Sequence, residues 1–85
     1  MTCKIERASD GRATVIRLSG RLRAENLEQL KNELKDEPAQ IGLDLDEVTL
    51  VDVEIVRFLN ECESAGVELR NCRPYIREWM EQEKR

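Results

Sequence analysis

Residues Ile41–Leu59 read IGLDLDEVTLVDVEIVRFL. Ile41, Leu43 and Leu45 alternate with Gly42, Asp44 and Asp46, the two-residue period of a strand with one buried and one acidic side. The strand reading covers QIGLDLDEV, from Gln40 to Val48. The segment from Leu50 to Leu59 then reads as a loop handing over to a helix, with Asp52 at the joint. Asp52 suits the N-cap, because its carboxylate accepts from N–H groups one turn into the helix. Glu54 falls in the first turn, where a negative charge contributes about 0.3–1 kcal/mol. Ile55, Val56, Leu59 and Cys62 supply the inner face, and Gly66 fits the left-handed position after the last turn.

The flanking sequence completes the pattern. CKIERAS, from Cys3, predicts a short strand. Asp10-Gly11 is a turn signal, and ATVIRLSG follows as a second strand, so residues 2–20 read as a hairpin. AENLEQLKNELKDEP predicts a helix with Leu27, Leu30 and Leu34 on one buried face and Pro38 at or beyond its end. Its other face carries Glu28, Lys31, Asn32 and Lys35. After Gly66, VELRNC predicts a short strand with Val67 and Leu69 on one side. Pro74 fits the first turn of a third helix, on which Ile76, Trp79 and Met80 share a face that covers the sheet. The tail EQEKR is polar and expected to fray. The order is β-β-α-β-α-β-α. It predicts an α/β fold: a small mixed, mostly parallel four-stranded sheet, with right-handed crossovers and helices mainly on one face. Residues 1–85 read as a single domain.

Composition narrows the function. Lys and Arg number 14 and Asp and Glu 18, for a net charge of −4. With no basic stripe, nucleic acid is not an expected partner, since that binding relies on cations neutralising phosphates. Cys3, Cys62 and Cys72 form no CxxC pair and there is no histidine, so no zinc site is expected. Three cysteines without a signal peptide suggest reduced thiols in the cytoplasm, with Cys62 and Cys72 as small core residues. No apolar run approaches the length of a membrane span.

Three stretches, in their order and spacing, carry a family resemblance: LSGRL at Leu18–Leu22, IGLDLDEVTLVD at Ile41–Asp52, and AGVELRNC at Ala65–Cys72. Together they resemble the STAS domain, the family of bacterial anti-sigma factor antagonists and of the cytoplasmic domains of sulfate transporters. That family usually has Asp, Ser, Ser or Thr, then Gly at the start of the second helix. In antagonist members the Ser or Thr just after the Asp is phosphorylated by the anti-sigma factor, itself a kinase. Here the four positions are Asp52, Val53, Glu54 and Ile55. Valine has no hydroxyl, so that switch cannot operate at Val53. Arg23 stands in the first loop where many members have an acidic residue.

The resemblance implies a non-catalytic protein-interaction module with a degenerate phosphosite and no cofactor. It implies docking through Asp52, Val53 and Glu54, joined by Arg57, Asn60 and Glu61 on the exposed side of the helix and by Arg23. Glu54 reads as a first-turn residue aiding the helix; the alternative is a fixed imitation of a modified state. Thr49 is the nearby hydroxyl left for modification. The implied partner is an anti-sigma or kinase-like regulator or, alternatively, a component of a transport system, since some STAS domains serve transporters. A third reading gathers Asp44, Asp46, Asp52 and Glu54 around a hard cation such as Mg²⁺. It lacks a phosphate-binding glycine loop, an activated nucleophile and a histidine base, so no enzyme is expected. Trp79 and Met80 carry an alternative of their own, an apolar patch for a partner or a second copy.

Overall fold

The computed structural model describes residues 3–9, 13–35 and 40–84. The expected turn at Asp10-Gly11 and the helix stop at Pro38 lie outside the described residues. The strands are β1 (Lys4–Ser9), β2 (Ala13–Leu22), β3 (Gln40–Val51) and β4 (Glu68–Arg70), and the helices α1 (Leu27–Lys35), α2 (Val53–Ser64) and α3 (Pro74–Glu83). A 3-10 turn, Ala24–Asn26, precedes α1. The expected ββαβαβα order is the one observed. The sheet runs β1-β2-β3-β4, with β1 and β2 antiparallel and the two other pairs parallel.

One face of the sheet carries all three helices. Ile16, Leu18 and Leu22 of β2 and Ile41, Leu43 and Leu45 of β3 are buried with Leu30 of α1, with Ile55, Val56, Leu59 and Cys62 of α2, and with Ile76 and Met80 of α3. Leu27, Leu34 and Trp79 pack against the same cluster. Thus the leucine face of α1 and the sheet-covering face of α3 stand as expected, and Met80 is wholly buried rather than part of an exposed patch. Burial pushes the Cys62 thiol up to about 12, which keeps it protonated and inert.

β3 departs from its expected reading. It continues through Thr49, Leu50 and Val51, where a loop was expected. The alternation hides this, because the strand changes parity twice. Arg17 pairs with Asp44 but Ser19 with Glu47, and Gly20 pairs with Val48 but Arg21 with Leu50. Each step places one extra residue on β3, as in a bulge. The buried apolar side chains therefore run 41, 43, 45, 48, 51, and Leu50 is turned out. The strand delivers Asp52 directly to the start of α2.

β4 is shorter than expected and stops at Arg70. Asn71 then adopts φ 56°, a left-handed conformation that asparagine tolerates better than most residues. Beyond that point side chains take the place of a neighbouring strand. Arg73 donates through Nη2 to the Asp46 carbonyl at 2.9 Å and through Nε to the Val48 carbonyl at 3.1 Å. Tyr75 donates its hydroxyl to the Thr49 carbonyl at 3.3 Å. This edge of β3 is thereby closed without a fifth strand.

Candidate functional site

Asp52 spends both carboxylate oxygens on backbone donors. Oδ1 accepts from the Ile55 N–H at 3.1 Å and Oδ2 from the Ala24 N–H at 2.8 Å. The first bond is the expected N-cap. The second was not visible in the sequence; it ties the start of α2 to the segment leaving β2. Arg23, next to Ala24, is thereby brought to the same surface, with its side chain exposed. Asn26 fixes that segment: its Oδ1 accepts from the Arg23 N–H at 2.9 Å, and its own N–H donates to the Arg23 carbonyl at 2.8 Å.

Around this clip the structure gathers some expected site residues and disperses others. Val53 is half-buried yet stands outside the core cluster. Glu54 is exposed and pairs with Arg57 at 3.7 Å. Arg57 also reaches Glu83 of α3 at 3.1 Å. Asn60, expected on the exposed side, is instead half-buried at the seam between α2 and α3. It is drawn in because its Nδ2 donates to the Met80 carbonyl at 3.0 Å. Glu61 is exposed, but about two turns, roughly 11 Å, beyond Val53 and Glu54 along the helix. It lines a groove with Asn60, Ser64, Ala65 and Lys84.

Two residues that sequence reasoning left out of the site stand at its margin. Leu50 and Tyr75 are the large apolar side chains most exposed among the described residues, at 45% and 46%. Leu50 lies two residues before Asp52, and the Tyr75 hydroxyl reaches the neighbouring Thr49 carbonyl. Thr49 is itself exposed. The signal for Leu50 was partial: as strand neighbours Leu50 and Val51 face opposite sides, but the alternation broken at Glu47-Val48 hides which of them is turned out.

The carboxylates of the metal reading do not converge. Asp44 Oδ1 accepts from the Asp46 N–H at 3.0 Å and from Asn71 Nδ2 at 3.1 Å, and Oδ2 lies 3.6 Å from Arg17. Those hydrogen bonds, first the backbone one, with Arg17 and Arg70 nearby, hold the Asp44 carboxyl below its usual range. Asp52 is occupied by N–H groups. Among the described residues no group of three acidic or cysteine ligands could hold a metal ion.

A mixed four-stranded sheet with three helices on one face, and a strand delivering an aspartate-capped helix, defines a STAS-like α/β domain. The family model described as "STAS_2: Mlab, STAS domain" matches residues 5–82, and the chain belongs to the STAS domain family. STAS domains are generally non-catalytic regulatory modules that act through protein–protein contacts, commonly as anti-sigma factor antagonists. A search of curated proteins finds no match. Among the described residues no helix is long and apolar enough to cross a membrane.

Proposed function

We propose that this chain is a non-catalytic docking module of the cytoplasm, resembling an anti-sigma factor antagonist but bound constitutively by its protein partner. The partner surface is the start of α2, with Asp52, Val53 and Glu54 at its centre and Arg23 and Arg57 beside it. One observation carries the reading. Val53 stays half-buried and outside the core at this helix start, and the two exposed large apolar side chains, Leu50 and Tyr75, flank it where β3 hands over to α2, Leu50 on the side of the sheet away from the helices. Exposed apolar groups rimmed by charges are the usual composition of a protein interface.

Asp52 acts as the organiser of that surface. Its two hydrogen bonds hold the segment after β2 against the helix start, so the partner meets one preformed face rather than two loose segments. With valine at position 53, phosphorylation there cannot add the charge that would eject a partner. Asn60, closed against α3, belongs to the packing of the module more than to the contact, and Glu61 lies at its far margin.

The same surface serves the second reading, an accessory STAS subunit of a transport system. Neighbouring genes discriminate the two: a regulatory kinase favours signalling, an ATPase with a permease favours transport. The direct test is affinity capture from the native host with the wild-type chain beside Val53→Arg/Glu54→Arg, both checked for fold by circular dichroism. A partner held by wild type and lost by the folded variant supports the reading and names the pathway. A partner held equally by both moves the interface elsewhere.

A further inference from the structure

The two edges of the sheet are finished differently. Past β4, the edge of β3 is closed by Arg73 and Tyr75. At the opposite end β1 pairs with β2, and among the described residues no strand lies along its outer side. A six-residue edge of this kind is a template for another strand.

The charges on the open face indicate which strand fits. Glu6 stands opposite Arg17, Arg17 opposite Asp44, and Asp44 opposite Arg70. One row thus crosses all four strands with alternating sign and ends at Glu6. A cation is the next member such a row accepts. Lys4 lies on the same face of β1, 3.6 Å from Glu6, and both side chains are well exposed, at 71% and 51%.

We propose that Lys4–Glu6 of β1 pair antiparallel with Lys4–Glu6 of a second copy of this chain, about a two-fold axis at Ile5, joining two sheets into one. In that register Lys4 meets Glu6 of the second copy, and Glu6 meets Lys4 of the second copy. The row of alternating charge then continues through the interface. Ile5, half-buried on the helix side of the sheet, meets Ile5 of the second copy and extends the core across the axis. Neighbouring registers that keep the same faces together are disfavoured. A slip of two in one direction sets Lys4 against Lys4, and in the other sets Glu6 against Glu6, like charges directly opposite. A two-fold axis makes the contact self-complementary and closed, so it ends at a dimer.

The test uses the full chain and charge reversal at exposed positions. Sedimentation velocity is run on wild type, Lys4→Glu, Glu6→Lys, and an equimolar mixture of the two variants, each checked by circular dichroism. Wild type is expected at twice the 9.9 kDa chain mass. Each single reversal sets like charges opposite at both crossings and is expected to weaken association about tenfold or more. The mixture restores an opposite pair at each crossing and is expected to regain the dimer. A wild type that stays monomeric at millimolar concentration overturns the proposal. So does a dimer that ignores the reversals, or a mixture that fails to recover.

Discussion

The open face of the sheet and the start of α2 are both exposed, yet they are built in opposite ways. On the open face, the row from Glu6 through Arg17 and Asp44 to Arg70 sets each charge beside one of opposite sign. Arg70 and Glu68 pair at 2.8 Å beside Gly42. Around α2 the polar group at the centre, Asp52, is turned inward to N–H donors, Val53 is only half-buried, and Tyr75 stays exposed, with Leu50 beside them turned out at the top of the sheet. Within the sheet the charges of the first surface answer one another, up to Glu6 at the open edge of β1. The second gains free energy when apolar area is covered, at roughly 25 cal/mol per Å² before the costs of association. Exposure alone therefore does not mark an interface; what is left unanswered at the surface does.

Substitutions along β3 give the largest effects and break the comparison at its root. Leu45→Ala is expected to cost about 2–5 kcal/mol in denaturant unfolding, because it opens a cavity under the helices. Leu50→Ala, only five residues on, is expected to change stability by less than about 0.5 kcal/mol. Equal costs at the two positions would refute the double change of parity. Asp52→Ala comes next, at about 1–2 kcal/mol for the lost cap, with faster amide exchange at Ala24 as well as at Ile55. If exchange rises at Ile55 alone, the clip between the two segments is not a property of the molecule in solution.

Acid sharpens the other side of the comparison. Asp44, on the open face, is held below its usual range mainly by the Asp46 N–H and Asn71, and Glu63, which joins α2 to α3, mainly by its hydrogen bonds to Arg77 and then by Lys84. Both folded values are depressed. Their stabilisation is therefore present above the ordinary carboxylate range near pH 4, and is lost as pH falls through the folded values. Asp44→Asn is expected to flatten the acid limb of a stability–pH curve while leaving Leu50 and Val53 untouched. The smallest effect belongs to Arg17→Gln, within about 0.5 kcal/mol, since exposed ion pairs contribute little.

Much of the fold was legible because it rests on periodicity. Leu27, Leu30 and Leu34 announced the face of α1, and Ile76 with Met80 that of α3. Asp52 was legible as a cap because the rule is local. The end of β3 was not, since strand alternation presumes constant parity and two extra residues shift it. Within the site, Asn60 was misread because helix spacing gives its direction but not the length of α3 packed against it. The bond from Asp52 to Ala24 spans 28 residues, and the closure of the β3 edge by Arg73 depends on where β4 stops. Neither leaves a pattern in sequence. The absence of a hydroxyl at Val53 needed only the sequence, but its meaning came from the family.

The central claim is that the partner covers the apolar margin of α2 and leaves the charged face bare. The most direct measurement is the affinity of the captured partner for two folded variants, Leu50→Ser/Tyr75→Ser and Arg17→Gln/Arg70→Gln. Loss of two interface anchors of roughly 1–2 kcal/mol each predicts about a hundredfold weaker binding for the first, with the second unchanged. Unchanged affinity for the first and loss for the second would contradict the account.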